Sequence, residues 1–371
     1  MKGLQMKPDK KSKHIAAITL SKGKMYEYDV PEDAHLQIPE GIDLDKQFPL
    51  VIGILGDACA EIANSLNSSP EQNITLNDNI QFASQVLYAY FESKTDQSLD
   101  KFLQLSSAVG FFIAGLPGTS SAIIKNLKRE SFVNDNYELA VFDALNITQQ
   151  LKVVTNGNSK LESILSLLAT YFQSGDRSLI DKELVSLRAK IYLFGTDSEL
   201  FFTDLLCAVA ITQIKHSSWQ LLPPYSGLST EVWRNYLGQQ TSVKILWPSQ
   251  QVLGSAGVYR GESSIVQMPT SAGKTKAIEL ILRAAFYSRR ASLAVIVAPY
   301  RALCQEIADD LRKALSEEGF RVNQLSDALQ PDFTQELLEF LGIETDPTLN
   351  VLVLTPEKLL YISRQNAEIM R

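Results

Sequence analysis

The residues "SSIVQMPTSAGKTKAIELIL" (263–282) decide how the last third of the chain folds. The apolar run 264–268 predicts a strand, and Ala277, Ile278, Ile281 and Ala285 recur at helical spacing after it. Between the two stand Pro269, Thr270, Ser271, Ala272, Gly273, Lys274 and Thr275. Small residues at 271–273 let the backbone approach a ligand closely, and the free amides at the start of a helix favour an anion. Lys274 then supplies a point charge for the β and γ phosphates of a nucleotide, and Thr275 a hydroxyl that ligates Mg²⁺. The full phosphate-loop pattern is G-x-x-x-x-G-K-[ST], and Met268 replaces its first glycine here. Taken alone, the stretch also fits a glycine-capped surface turn.

Working outward, "LAVIVA" and "NVLVL" are short runs of Val, Ile and Leu, each followed by a helical pattern. Strands alternating with helices predict a parallel sheet with crossover helices. Toward the N-terminus the texture changes. Residues 49–218 show long segments of 3.6 period separated by polar breaks such as "NSSPEQN" and "VTNGNSK", and predict an α-helical module. Its Asp and Glu residues fall at helix-surface spacing and are expected to face solvent. "AYFESKTDQSLDKFL" (89–103) echoes "TYFQSGDRSLIDKEL" (170–184) at an offset of about 81 residues. The echo reads either as two stacked helical hairpins or as a chance likeness between amphipathic helices. Residues 15–30 alternate around Lys-Gly-Lys and predict a small hairpin, with proline-marked loops after it. Residues 219–242, with Pro223-Pro224 and a polar run, read as a linker. The expected fold is therefore α + α/β. Residues 1–48 form a hairpin and loops, 49–218 a repeat-like helical module, 219–242 a linker, and 243–371 an incomplete parallel-sheet domain.

Composition bounds the function. The 371 residues carry 45% hydrophobic and 21% charged side chains, ordinary values for a globular chain with a full core. The net charge of −7 excludes a general polyanion-coating protein. It leaves room for a narrow nucleic-acid channel: residues 241–371 hold 14 Lys/Arg against 15 Asp/Glu, and residues 1–240 hold 21 against 27. Cys59, Cys207 and Cys304 lie far apart, as do His14, His35 and His216, so no protein metal site is expected. Sparse, odd cysteines suit a reducing, cytoplasmic compartment. The greasy segments are too short and too interrupted to span a membrane, and no signal peptide is visible. Residues 1–13 contain five lysines, read as a solvated end or as an arm for nucleic acid.

Three further stretches bear on the phosphate loop: "LWPSQ" (246–250), "PYRAL" (299–303) and "TPEK" (355–358). With the loop, their order and spacing resemble the first RecA-like domain of a superfamily 2 helicase, most closely the Ski-like DExH branch. The likeness covers about residues 240–371. It implies ATP and Mg²⁺ as cofactors, with Gln250 and residues 269–275 around the nucleotide. A Gln amide can pair bidentate with an adenine edge. The likeness also implies that Pro299, Arg301, Thr355 and Pro356 hold the backbone of a single strand, DNA or RNA, with DNA slightly favoured. Movement is expected from 3′ to 5′. Many relatives carry a Gly-Gly turn between the second and third of these motifs; here "VNQLSDALQPDFTQELLEFLGIETDPTLN" has none. The Asp-Glu-x-His motif that places Mg²⁺ and the attacking water is expected downstream of Lys358. The chain reaches Arg371 without it, and without a second RecA-like lobe. Asp143 and Asp204 sit in helical patterns and do not substitute for it. Residues 1–371 alone are therefore expected not to hydrolyse ATP. The other function class is a helical docking module that recruits a partner protein such as a nuclease. The layout, with "FFIAGLPGTSSAIIKNL", resembles bacterial antiphage-defence helicases of the Hachiman type.

Overall fold

The computed structural model describes residues 7–28, 30–31, 34, 44–65, 74–93, 97–132, 135–150, 159–269, 272–324 and 349–365. Along the chain run α1 (Lys10–Glu27), α2 (Leu44–Asn64), α3 (Ile74–Glu92), α4 (Asp100–Ile113), α5 (Pro117–Asn126), α6 (Asn136–Gln150), α7 (Lys160–Ser174), α8 (Ile180–Phe194) and α9 (Asp197–Lys215). They are followed by α10 (Ser218–Ser226), α11 (Thr230–Gly238), α12 (Pro248–Ser255), α13 (Lys274–Tyr287), β1 (Leu293–Val297), α14 (Arg301–Leu315), β2 (Arg321–Gln324), β3 (Asn350–Leu354) and α15 (Pro356–Gln365). Two compact units result, one of residues 1–221 and 234–248, the other of 222–233 and 249–371. The expected α + α/β organisation is present: a helical unit and a unit built on a small parallel sheet.

The helical unit is organised around α9. Every residue from Phe202 to Ile214 is buried. A helix apolar all round must be covered all round, and α2, α4, α6 and α8 pack against it. Its start is set by a capping box: the Thr196 hydroxyl accepts from Glu199 N at 3.2 Å, and the Glu199 carboxylate accepts from Thr196 N at 2.8 Å. Two acidic residues expected at the surface are ion-paired between elements instead. Asp204, buried in α9, meets Arg188 of α8 at 2.5 Å, and Arg188 also donates to Asn64 of α2 at 2.7 Å. Asp143 of α6 takes a two-pronged bond from Arg129 at 2.8 and 2.7 Å. A buried carboxylate needs such a partner. Cys59 and Cys207 are buried here, and burial pushes both thiols up, Cys207 to about 12, so neither supplies a thiolate.

The two echoing segments do occupy equivalent places, the α3-to-α4 and α7-to-α8 connections. The hairpins are not principal packing partners of each other, since α3 packs chiefly on α4 while α7 packs chiefly on α6. The expected hairpin at 15–30 is replaced by α1. Ile15, Ala16 and Thr19 are buried at i, i+1, i+4 spacing, and α1 lies on α3. That apolar face outweighs Gly23, whose cost in a helix interior is about 1 kcal/mol.

In the second unit β3 is central, with β1 and β2 parallel on either side. Val297 pairs with Leu354 and Val322 with Val351. One face of the sheet, with Ala294, Ile296, Val322, Val351 and Val353, packs on Leu282 and Phe286 of α13 and on Ala308, Leu311 and Leu315 of α14. The other face sets Leu352 and Leu354 against Leu359 and Ile362 of α15. The strand expected at 264–268 is not formed. Among the described residues the segment has no strand partner, and Ile265 and Val266 are exposed. An apolar run becomes a strand only where a ladder accepts it, and among the described residues β1 pairs with β3 alone.

Residues 219–242, read as a linker, form α10 and α11. Trp219, Leu222, Trp233, Tyr236 and Leu237 are buried, so the segment is anchored in packed cores rather than loose. In the sheet-bearing unit, Trp233 meets Tyr287 edge-on at 5.1 Å and donates to the Ser226 hydroxyl at 2.9 Å.

Candidate nucleotide and strand-contact site

Gly273 begins the site. Its φ of 83° and ψ of 33° lie in the left-handed region, where a residue with a Cβ is strained, and it is the N-cap of α13. Ala277 N closes the first helical turn on Gly273 O at 3.0 Å. The amides of the first turn have no partner within the helix, and Lys274 and Thr275 stand exposed there. Behind them Ala277, Leu280, Leu282, Ala284 and Phe286 are buried, which fixes the helix direction.

Two side chains from the start of α12 hold the loop from behind. Ser249 Oγ donates to Ala272 O at 2.8 Å, and Gln250 Nε2 to Gly273 O at 3.4 Å. Tyr259 OH donates to Gln250 O at 3.1 Å and ties α12 down in turn. Carbonyls 272 and 273 are thus both engaged from α12. Gln250 itself is 2% exposed. Pro269 is exposed and its carbonyl accepts from Ala272 N at 3.4 Å; Thr270 and Ser271 lie outside the described residues.

The second group forms at the C-terminal edge of the sheet. Because β1 and β3 are adjacent and in register, the chain leaves both strands at the same level, and Ala298 N donates to Leu354 O at 3.0 Å. Pro299 and Arg301 therefore emerge beside Thr355 and Pro356. Two helices, α14 from Arg301 and α15 from Pro356, start side by side there. Tyr300, the N-cap of α14, provides no side-chain cap. The N-terminus of α14, without a side-chain cap at a parallel sheet's C-terminal edge, suits a phosphate oxygen. Arg301 is exposed and Thr355 is buried. Glu357 joins them: its carboxyl is held below the ordinary range, first by its own backbone N–H, then by the Thr355 hydroxyl, with Arg301 adding a favourable charge. Residue type alone does not mark Glu357 within Thr-Pro-Glu-Lys, nor Ser249 within Leu-Trp-Pro-Ser-Gln. The segment 325–348, where the Gly-Gly turn of relatives would fall, lies outside the described residues.

With this geometry in place, the family comparisons have a structural counterpart. Residues 248–371, starting at the first residue of α12, match the DEAD/DEAH box helicase family. Over those residues the chain is helicase-like. It is also 22% identical over 310 residues to Hachiman protein HamB of Bacillus cereus, across 77% of this chain and 27% of that protein. The chain thus spans about a quarter of the length of that relative. DEAD/DEAH helicases use ATP and Mg²⁺, and the loop, the Gln250 helix and the Arg301–Thr355 edge all fall within the matched residues. Among the described residues no group of three or more His, Cys, Asp or Glu side chains gathers to hold a metal, and no helix is long and apolar enough to cross a membrane.

Proposed function

We propose that residues 1–371 form the nucleotide- and strand-engaging part of an ATP-dependent helicase or translocase that moves 3′ to 5′ along a single strand. The observation that carries this reading is the left-handed Gly273 at the head of α13, with Lys274 and Thr275 exposed and carbonyls 272 and 273 tied back by Ser249 and Gln250. Lys274 neutralises the β and γ phosphates, the first-turn amides donate to them, and Thr275 contributes a hydroxyl to a Mg²⁺ carried by the nucleotide. Gln250 reads the adenine once nucleotide entry draws its amide from Gly273. Arg301, Thr355 and the uncapped start of α14 hold backbone phosphates without reading bases. Residues 1–371 contain no Asp-Glu-x-His sequence, so we expect binding without turnover. A fluorescent ATP analogue titrated with Mg²⁺ should bind the chain, and Lys274→Ala should weaken it about tenfold or more. Undiminished binding by the variant, or Lys274-dependent ATP turnover by residues 1–371, would overturn the assignment. The likeness to a Hachiman protein supports a role in antiphage defence.

A second reading, docking of a partner protein on the helical unit, is favoured by one observation. Tyr192, Leu193 and Phe194 at the end of α8 are 73%, 69% and 82% exposed, an apolar cluster larger than a lone surface side chain. Changing Leu193 and Phe194 to Ser should abolish capture of that partner while leaving nucleotide affinity unchanged. Capture that survives the change removes this surface from consideration.

A further inference from the structure

Away from the ligand-facing ends, α13 and α14 are joined by a buried charge cluster to which the function above assigns nothing. Arg283, on α13, is 1% exposed. Its Nε and Nη2 each lie 2.8 Å from Glu318 Oε1, just beyond α14. Nη2 also donates to Ala314 O at 2.6 Å, and Nη1 faces Glu279 Oε2 at 3.5 Å. Glu279, 3% exposed, takes Lys276 Nζ at 2.8 Å on its other oxygen. Tyr287 OH bonds the second oxygen of Glu318. The cluster is balanced, two cations against two carboxylates, and it runs from the first turn of α13 to the last turn of α14.

Buried ion clusters are poor sources of stability, because the desolvation of each charge offsets most of the attraction. What they do supply is direction. Leu282 and Phe286 on one helix and Leu311 and Leu315 on the other share one apolar core, whose attraction is non-directional. A guanidinium shared between two carboxylates and a helix-terminal carbonyl is directional. Arg283 also places a cation on the C-terminal carbonyls of α14, where the helix dipole favours one. Each helix is a rigid rod with its ligand-facing residues at its N-terminus, Lys274 on α13 and Arg301 on α14, and the cluster fastens both some turns away. Lys276, held by Glu279, is drawn off the loop, which leaves Lys274 as the loop's cation.

We propose that Glu279, Arg283 and Glu318 are positioning residues that couple the nucleotide loop to the strand-contact edge, so that occupancy of one changes affinity at the other. This rests on the nucleotide and strand reading above. A shift of α13 on phosphate binding carries Arg283 with it, and α14, capped by the same guanidinium, follows. The physical warrant for such a link is measured coupling, not proximity.

The test uses residues 1–371, a fluorescent ATP analogue with Mg²⁺, and a fluorescein-labelled oligo-dT. In the native chain, nucleotide should change oligo-dT affinity by about fivefold or more, the lower end of ordinary coupling. In Arg283→Met, and separately in Glu318→Ala, each ligand alone should bind within about threefold of native while the coupling factor falls to about one. A merely structural role would lower both affinities together and leave their ratio intact. If Arg283→Met does not fold, judged by circular dichroism, Glu318→Ala decides. Native coupling retained in a folded variant overturns the proposal, as does a native chain that binds both ligands independently. A native chain without Lys274-dependent nucleotide binding overturns the functional reading, and this proposal with it.

Discussion

Lys244 shows how far one side chain's role can depart from its sequence neighbourhood. In "SVKIL" it looks like a surface cation, yet it is 5% exposed. Its ammonium donates to Phe172 O at 3.1 Å, Leu237 O at 2.9 Å and Gln239 O at 2.6 Å, at the ends of α7 and α11. Three donors meet three carbonyls at two helix C-termini, where positive charge is favoured. Burial acts the other way and lowers the group from 10.5 to about 8. The folded value therefore lies below the unfolded one. Between about pH 8 and 10.5 the unfolded chain holds more protons, so stability rises with pH across that window, while below it the burial penalty is fully present. The denaturant midpoint of the helical unit should rise from pH 7.5 to 9.5, and less so in Lys244→Met, which lacks the titrating group. That variant should also lose about 1–3 kcal/mol at pH 7 by leaving carbonyls unpaired. An identical rise in both proteins would assign the pH response to other groups. At this scale Lys274, Thr275, Arg301 and Thr355 stand out in the sequence as candidates because their residue type is their chemistry. Ser249 and Glu357 do not, because their contacts exist only through the Ala272 carbonyl and the Thr355 hydroxyl that the fold brings to them.

Elements were legible where periodicity was long and illegible where pairing decides. α9 falls within the stretch expected to be helical, but its thirteen consecutive buried residues, Asp204 among them, go beyond the surface spacing expected of the acidic residues there. "LAVIV" and "NVLVL" became β1 and β3 because each meets a parallel neighbour. "SSIVQM" has the same local character and finds no strand partner among the described residues, since a strand is a property of two segments and the sequence displays one at a time. The hairpin expected at 15–30 failed for a related reason: Lys-Gly-Lys resembles a turn, but the face formed by Ile15, Ala16 and Thr19 is what α3 receives. The linker expected at 219–242 differs in the same direction: Pro223 and Pro224 stand within α10, and Trp219, Leu222 and Trp233 are buried on either side of them. Gly175 adds a constraint no pattern shows. Its φ of 79° ends α7, and a Cβ there would sit 2.7 Å from the Trp219 ring.

For the whole molecule, charge sets what the proposed strand binding can look like. The net charge is −7, residues 241–371 are nearly neutral, and at the sheet edge Arg301 stands beside Glu357. Binding must then depend on a few well-placed contacts and helix-terminal amides rather than on a broad field. Each phosphate neutralised on a single strand contributes about −0.7 to the slope of log affinity against log salt. Two or three such contacts predict a slope of about −1.4 to −2.1 for oligo-dT binding. Arg301→Ala should reduce its magnitude by about 0.7, with an affinity loss of similar size on oligo-dT, oligo-dA and mixed sequence, since a backbone contact carries no base information. Salt titrations of native and variant chains on the three oligonucleotides measure all of this. A slope steeper than about −4 would mean that another basic surface dominates, and α1 is where it would have to be sought. There Lys10, Lys11, Lys13 and His14 are exposed within little more than one turn, and the helix carries no carboxylate before Glu27.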